Sequence, residues 1–299
     1  MNAVEKAQSE SWRRTYFNLG SLPFWSMHLA AVIGVAAVGI SWSGVAIAAA
    51  LYFARMFLVT GVYHRYFSHR SYKTSRPLQF ILAALCTTTL QKGVLWWAAH
   101  HRHHHKRSDL DDDIHSPVQG GFWWSHLGWL ASTHFEGTDY DKVKDFARYP
   151  ELRWINRNHL LMPITCGVLL YVLGGAEWLV WGGFVSTVML WHGTFTINSL
   201  AHVIGSRRYN TEDDSRNHWL LALVTMGEGW HNNHHHYQLS CRQGFRWYEI
   251  DPTYYILRLM ALFGLIWDVR TPPAHIVADR PKDFAPAVSA VSTSGESPR

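Results

Sequence analysis

Two pairs of long apolar runs constrain this chain more than any other feature. The first pair covers residues 24–41 and 44–63, and the second covers residues 160–174 and 178–197. Each run approaches the roughly 20 residues that an α-helix needs to cross a bilayer. The links within each pair are short and contain no Lys or Arg, so each pair predicts a tight helical hairpin. The sequence therefore predicts an all-α integral membrane protein with four transmembrane helices; a soluble bundle would have to bury both pairs in water.

The remaining segments predict a helical cap on one side of the membrane. Residues 64–158 and 198–284 carry most of the Lys and Arg, together with the N-terminal segment 1–21. Because positive charge concentrates in cytoplasmic segments, we expect both termini and the cap on the cytoplasmic side. Residues 22–284 would form the folded domain, and residues 285–299, rich in Ser, Ala and Pro, predict a disordered tail.

Composition limits the kind of site that this chain can build. Among 299 residues there are 20 histidines but only 3 cysteines, at Cys86, Cys166 and Cys241. Cysteines so far apart form neither a disulfide framework nor a Cys-x-x-Cys motif, so a metal site would be built from histidine. The formal charge of +5 suits an anionic membrane surface or substrate. We expect membrane lipids as partners and no nucleic acid.

Most histidines fall in four places that the predicted topology puts on one membrane face. These are residues 64–69, residues 100–105, His202 with Asn198 one helical turn before it, and residues 231–236. In a His-x-x-His-His motif the histidines lie at i, i+3 and i+4 on one helix face. In the second box this motif fits two registers, beginning at either His100 or His101. Nine histidines and one asparagine are about right for two ions, and imidazole suits Fe, Zn, Cu and Ni.

Two further details of these boxes carry expectations. His64 and His69 do not share a face of a regular helix, so we expect the helix to end or bend between them. Carboxylate-bridged di-iron bundles use two Glu-x-x-His motifs, whereas only one is present here, Glu228 to His231. The site is therefore expected to be dominated by imidazole, with Glu228 as a partner outside the ligand set.

With these features in place, the chain resembles the membrane-bound fatty acyl desaturases, specifically the Δ9 acyl-CoA (stearoyl-CoA type) desaturases, over about residues 50–270. The resemblance rests on HRYFSH at 64–69, HRHHHK at 101–106, GFWWSHLGWL at 121–130, NSLAH at 198–202, GEGWHNNHH at 227–235 and FRWYEID at 245–251. It implies that nine histidines ligate two irons, with Asn198 holding a metal-bound water. These histidines are His64, His69, His101, His104, His105, His202, His231, His234 and His235.

The resemblance also implies a bent tunnel for the acyl chain. The residues that match its kink are Gln91, Trp97 and Thr194, and those that match its end are Tyr52 and Met56. Met56 stands where a common vertebrate form has a small residue, which implies a shorter tunnel and a palmitoyl-length chain. The alternative for Tyr52 and Met56 is ordinary helix packing.

One departure from the family concerns the acyl carrier. A pair of arginines that often follows box two is replaced by residues 118–121, Val-Gln-Gly-Gly. Those arginines would help to hold the CoA phosphates, so their absence weakens the preference for acyl-CoA over acyl carrier protein or a lipid-bound chain. Arg102 and Lys106 remain candidates for contact with an anion.

The implied reaction is O2-dependent introduction of a cis double bond, at Δ9, into a saturated acyl chain, with acyl-CoA favoured as the carrier. One O2 takes two electrons from the substrate and two from outside, so a separate donor of the cytochrome b5, ferredoxin or rubredoxin type is an expected partner. One alternative is a membrane hydroxylase with the same metal centre. Another is a histidine-rich membrane metal-binding or transport protein, which would place ionisable residues along a path through the bilayer.

Overall fold

The fold was analysed in a computed structural model, which describes residues 18–278 of the chain. The longer helices are Leu22–Val38, Trp42–Phe57, Arg76–Thr87, Val94–Arg107, Pro150–Arg157, Leu161–Trp178, Ser186–Ser199 and Pro252–Leu262. Short α-helices are Pro117–Gly120, Trp129–Ala131, Lys144–Ala147, Trp219–Val224, His231–His236 and Ala274–Ala278. Segments of π-helix are Leu58–Ser68, Trp124–Gly128 and Leu179–Val185, and turns of 3-10 helix are Leu19–Ser21, Thr133–Phe135, Tyr140–Val143 and Leu200–His202.

Within the described residues, strand structure is limited to one antiparallel pair, Lys73–Thr74 with Ile266–Trp267. The predicted all-α character is therefore confirmed. The predicted tail at residues 285–299, and most of the predicted N-terminal segment 1–21, lie outside the described residues.

Three helices in residues 18–278 are long and apolar enough to cross a membrane: Leu19–Val38, Trp42–Ser68 and Leu161–His202. The third has 42 residues and is interrupted at Gly175, whose backbone is left-handed at φ 65° and ψ −158°. A Cβ on Gly182 would lie 3.2 Å from Leu170 Cδ2, although a straight helix would separate these residues by about 18 Å. The chain therefore folds back at Gly175, within the link predicted for the second hairpin.

The turns of the two hairpins lie side by side. Ser41 Oγ donates a hydrogen bond of 2.6 Å to Glu177 Oε1, and Trp178 Nε1 donates one of 3.0 Å to Ser43 Oγ. Ser41 also caps the following helix, since its Oγ accepts from Gly44 N at 2.9 Å. The opposite ends of these helical arms lead into the cap, which is where the histidine boxes are found.

Arg55 is a buried charge within the second apolar helix. Its guanidinium donates to Thr187 Oγ1 at 2.7 Å, to Gly182 O at 2.8 Å and to Ser186 Oγ at 2.5 Å. The π-helical segment Leu179–Val185 leaves carbonyl groups such as that of Gly182 available for a side-chain donor. Arg55 thus links the two hairpins by hydrogen bonds to uncharged oxygen acceptors.

The cap packs around an apolar core that supports the second box. Buried residues of this core include Tyr63, Phe67, Val94, Leu152 and Leu257. Asn156 Oδ1 accepts hydrogen bonds of 3.0 Å from Leu95 N and Trp96 N, and so caps the helix Val94–Arg107. Gly93 allows this close approach, because a Cβ there would lie 2.2 Å from Asn156 Oδ1. The helix that carries the second box is therefore rigidly anchored at its start.

Candidate metal centre

Five histidines direct their Nε2 atoms at a common point at the edge of the cap. They are His64, His69, His101, His105 and His234, whose ligand atoms all lie within 4.8 Å of one another. Neighbouring Nε2 atoms in this first cluster are between 2.9 and 3.1 Å apart. Two nitrogens bound at right angles to one ion at about 2.1 Å would be about 3.0 Å apart. The spacing therefore suits imidazole ligands around one cation.

Hydrogen bonding among the histidines alone does not satisfy the first cluster. The five short Nε2–Nε2 contacts form a closed ring, and each neutral Nε2 can either donate or accept. Donors and acceptors cannot alternate around a ring of five atoms. At least one contact would therefore join two donors or two acceptors. Burial, and after it the neighbouring imidazoles, holds the pKa of His101 and His105 well below the usual value. A central cation would satisfy all five lone pairs at once.

Four further histidines form a second cluster beside the first. The ligand atoms of His104, His202, His231 and His235 lie within 4.8 Å of one another. His202 Nε2 and His231 Nε2 are 3.0 Å apart. His235 Nε2 is buried and has no hydrogen-bond partner in the described part of the chain. A buried, unpartnered lone pair among imidazoles is the arrangement expected of a metal ligand.

The two clusters interlock because the second and fourth boxes each contribute to both. On the helix Val94–Arg107, His101 and His105 enter the first cluster, and His104 enters the second. In the short helix His231–His236 the i, i+4 pair His231 and His235 enters the second cluster, and His234 enters the first. The i, i+4 pair of each motif faces one cluster while the intervening i+3 residue faces the other. The structure thus brings all nine predicted histidines together as two adjacent nitrogen-rich sites.

A π-helix explains how His64 and His69 reach the same cluster. His69 N donates to His64 O at 3.1 Å, which is an i to i+5 bond at the end of the segment Leu58–Ser68. A π-turn is wider than an α-turn and therefore brings residues five apart to one side. The sequence predicted an end or bend between these residues. The helix does end at Ser68, but the wide turn before it is what aligns the two imidazoles.

Carboxylates hold four of the histidines from outside the clusters. Each accepts a hydrogen bond from an Nδ1 atom: Glu228 from His64 at 2.6 Å, Asp113 from His104 at 2.9 Å, Asp109 from His202 at 2.9 Å and Asp213 from His235 at 2.5 Å. This contact fixes the proton on Nδ1 and leaves Nε2 as the electron-pair donor. Glu228 occupies the position expected of it from the sequence.

The three aspartates were not identified from the sequence. Burial, the largest single influence, would raise the pKa of Asp109, but the charge of His202 and the hydrogen bonds that the carboxylate accepts together outweigh it and hold the pKa at about 2. His104 and His235 likewise hold the pKa values of Asp113 and Asp213 well below the usual range, against burial. The three aspartates lie in two acidic runs, DLDDD at 109–113 and EDD at 212–214, and each run resembles a solvent-exposed loop.

Three histidines of the boxes lie outside both clusters. His100 Nδ1 is 2.9 Å from Trp96 O, and His103 Nε2 is 3.0 Å from Asp112 O near the surface. The His236 ring stacks on Tyr209 with a centroid distance of 4.1 Å. The second box therefore uses the register that begins at His101. A tenth histidine, His115, is buried with its ring 4.3 Å from that of His104.

A cavity of about 580 Å³ adjoins the clusters, with His101 and Asn198 in its wall. The three residues predicted at the tunnel kink, Gln91, Trp97 and Thr194, line it next to these two. They are joined by hydrogen bonds, because Trp97 Nε1 donates to Gln91 Oε1 at 3.2 Å and Gln91 Nε2 donates to Thr194 Oγ1 at 3.1 Å. The other walls are mainly apolar, so the cavity suits a hydrocarbon chain that passes the metal site.

A narrow cleft of about 40 Å³ continues past the kink residues to Met56. It shares Trp97 and Thr194 with the large cavity, and Asn198 also lines it. Tyr52 lies behind Met56 and donates to Val224 O at 2.9 Å. Of the two residues predicted at the tunnel end, Met56 therefore borders the open space and Tyr52 supports it.

Arg102 forms hydrogen bonds within the protein through all five N–H groups of its guanidinium. It forms a bidentate ion pair with Asp145, in which Nη1 donates at 2.8 Å and Nη2 donates at 3.0 Å. Its remaining N–H groups donate to the carbonyl oxygens of Ser68, Phe67 and Lys142. No N–H of this guanidinium is left for a substrate anion, which corrects the sequence prediction for Arg102. Lys106 lines a polar cleft of about 290 Å³ on the cap, with His105 and His235 at its base.

Comparison with known proteins identifies the family of this chain. A sequence model of the family described as "Fatty acid desaturase" matches residues 40–269. An sn-1 stearoyl-lipid 9-desaturase of Anabaena variabilis is 37% identical over 262 residues, which cover 87% of this chain and 94% of the relative. An sn-2 palmitoyl-lipid 9-desaturase of Nostoc sp. (strain 36) is 39% identical over 216 residues, covering 71% and 75%.

A third relative, acyl-CoA 5-desaturase AL21 of Anemone leveillei, is 37% identical over 236 residues, covering 78% of this chain and 73% of its own. The family model spans most of the chain, and each relative exceeds the identity at which membership is secure. The resemblance seen in the histidine boxes is thus confirmed: the chain belongs to the membrane fatty acid desaturase family and is an oxidoreductase.

Proposed function

We propose that this protein introduces a cis double bond, at Δ9, into a saturated palmitoyl-length chain carried by a membrane lipid. The observation that carries the proposal is the mainly apolar cavity, which together with the narrow cleft that adjoins it lies beside both histidine clusters. An unactivated methylene pair has no acidic proton, so side-chain acid–base chemistry cannot remove its hydrogens. A metal-bound oxidant is required, and the role of the protein is to position the chain against it.

Two irons fit the donor set, which consists of imidazole nitrogens with outer carboxylates. In the proposal the first cluster holds one ion and the second cluster holds the other, with Asn198 acting on the second through a water. Bound iron supplies the O2 chemistry. The overall reaction converts the acyl chain, O2, two electrons and two protons into the unsaturated chain and two waters.

The residues of the chain itself determine where the reaction occurs. Trp97, Gln91 and Thr194 hold the substrate bent, so that two adjacent methylenes face the metal site and a cis product is favoured. Met56 closes the narrow end of the cavity, which limits the length beyond the new double bond. The buried apolar walls exclude water from the reacting carbons.

A lipid carrier replaces acyl-CoA as the favoured carrier for three reasons. The cavity wall includes Met27, Ala30 and Phe184, which belong to apolar helices of membrane-spanning length. The arginine pair expected for CoA phosphates is absent, and Arg102 is engaged by Asp145. Two of the three relatives described above are named for lipid-bound substrates. Entry from within the bilayer is therefore the simplest route for the acyl chain.

In this proposal the chain crosses the membrane four times, as two hairpins with the cap on the cytoplasmic side. The turns near Ser41 and Glu177, which contain no Lys or Arg, lie together at the end away from the histidine clusters. The polar cleft on the cap is lined by His105 of the first cluster and by His235 of the second. We expect a separate electron donor to dock at this cleft.

Expression in a host that lacks its own Δ9 desaturase tests the function. We expect lipids with a cis double bond at carbon 9 of palmitoyl chains, located by mass spectrometry of derivatised fatty acids, and none with His104→Ala. A hydroxylated chain would instead support the hydroxylase. Saturated chains alone, from protein that contains iron and receives electrons, would contradict the proposal.

A further inference from the structure

The large cavity has a cationic group in its wall that the proposed reaction does not use. Lys92 lines the cavity together with Trp96, His159 and Leu160. Its Nζ lies 4.7 Å from the centre of the Trp96 ring, a cation–π contact that holds the side chain against the wall. No carboxylate in residues 18–278 lies within the 4.0 Å of an ion pair with this ammonium. Lys92 therefore faces the cavity without a carboxylate counter-ion from the described residues.

The loop that carries Lys92 is held in an unusual conformation. Leu90 and Lys92 both have left-handed backbones, with φ of 56° and 61°, which are uncommon for residues other than glycine. Tyr63 Oη donates a hydrogen bond of 2.6 Å to the Lys92 carbonyl, and Gly93 packs closely on Asn156. Such a conformation persists only where surrounding contacts enforce it, and it is concentrated at functional sites. The direction of the Lys92 side chain is thus built into the fold.

The position of this group along the membrane normal follows from the helix ends. The cavity wall near Lys92 includes Leu160, directly before the helix that begins at Leu161, and Gly20 and Pro23 at the start of the N-terminal helix. Ends of membrane-spanning helices lie at the level of the lipid head groups. The ammonium consequently lies at the depth of lipid phosphates.

Burial removes the Lys92 ammonium partly from water, and the nearby protein charges offset this loss only in part. Removal from water lowers the pKa of Lys92, and the exposed Glu136 acts in the opposite direction only through space. A partly desolvated charge is stabilised when an opposite charge reaches it. In a glycerophospholipid the phosphate is only a few bonds from the acyl ester, whereas in acyl-CoA the long pantetheine arm separates the phosphates from the thioester.

We propose that Lys92 binds the phosphate of an acyl-bearing glycerophospholipid, and so makes phospholipids preferred over uncharged glycolipids as occupants of the cavity. This inference rests on the proposed function in that it takes the cavity to hold the acyl chain. It goes further by assigning the head-group class and the residue that selects it.

Binding of lipids to the metal-free protein in detergent tests the proposal without requiring activity. The probes are fluorescent palmitoyl phosphatidylglycerol, the matching monogalactosyl lipid and palmitoyl-CoA. We expect the wild type to bind the phosphatidylglycerol at least tenfold more tightly than the galactolipid. Lys92→Met should abolish this ratio, while Lys92→Arg and the exposed-lysine control Lys144→Met should preserve it.

Several outcomes would overturn the proposal. Equal affinities in the wild type, or an unchanged ratio in folded Lys92→Met, would show that Lys92 does not select the head group. A preference for palmitoyl-CoA that depends on Lys92 would place the phosphate on CoA instead. Lys92→Asn removes the same charge and suits the left-handed backbone, so it replaces Lys92→Met if that variant does not fold. Iron-loaded protein that binds selectively but does not desaturate would contradict the proposed function alone.

Discussion

The Glu228 carboxylate accepts a 2.6 Å hydrogen bond from His64 Nδ1, on the side of the imidazole away from the first cluster. Both residues are buried, and the same carboxylate is paired with the buried Arg65 at 3.2 Å. Burial opposes its charge, but His64 and then Arg65 hold the pKa of Glu228 below its usual value. The carboxylate therefore stays charged and fixes the proton of His64 on Nδ1, so that Nε2 is free to bind a cation.

Glu228→Gln should weaken iron binding while leaving the fold intact. The amide keeps the shape of the side chain but no longer fixes the orientation and basicity of His64, a change that costs about 10- to 100-fold in metal affinity or activity. Iron per protein, measured after equilibration with a chelator, provides the test. Glu151→Gln is the control, because Glu151 forms a surface ion pair with Arg76 away from the clusters. Equal iron retention in Glu228→Gln and the control would contradict the assigned role.

Substitutions in the two clusters should remove different ions. His105 contributes to the first cluster and His202 to the second, so His105→Ala and His202→Ala should each lose one of the two irons and all desaturation. The double variant should lose both ions, because the remaining imidazoles no longer complete either site. Elemental analysis of purified protein distinguishes these cases. A single variant that retains both irons would require a different division of the ligands.

The division of the ligands shows where sequence reasoning succeeds and where it fails. Regular spacing identifies a His-x-x-His-His motif in the second box but fits registers that begin at His100 and at His101, and the structure brings His101, His104 and His105 into the clusters. Spacing does not predict the π-turn that joins His64 to His69, because hydrogen bonds of the i to i+5 type have no repeat in the sequence. Asp213 reaches His235 from a loop, and such a contact depends on tertiary packing alone.

The hairpins show the same division between local pattern and tertiary contact. Apolar runs and links without Lys or Arg locate the turns, and Gly175 falls within one predicted link. Three acceptors of Arg55 come from the other hairpin, and the second helix alone gives no sign of them. Arg102 was misassigned for a related reason, since its acceptors Phe67 and Ser68 are backbone carbonyls that no sequence pattern marks.

His192→Leu should destabilise the packing of the N-terminal helix. His192 Nε2 lies 3.1 Å from His28 Nε2, and its Nδ1 lies 3.0 Å from His126 Nε2, so one imidazole joins three segments. Hydrogen bonds between membrane helices contribute about 0.6 kcal/mol on average and up to about 1.7 kcal/mol. We expect a lower Tm in detergent, whereas His275→Leu, at an exposed position, should leave the Tm unchanged. Equal Tm values for both variants would show that the three-histidine chain does not hold the helix.

Met56→Ala should change the length of the acyl chain that is desaturated. The side chain is 1% exposed and borders the narrow cleft beside the clusters, so its loss extends the open space toward Tyr52. A buried Met→Ala change costs about 2–5 kcal/mol of stability, and a fatty acyl chain that fills the space would recover part of this. We expect the ratio of stearoyl to palmitoyl products to rise, as measured by gas chromatography of total fatty acids from expressing cells. Met189→Ala is the matched control, since Met189 is 52% exposed on a membrane helix. If iron-loaded Met56→Ala produced the same chain-length ratio as the control, Met56 would be a packing residue and the end of the cavity would lie elsewhere.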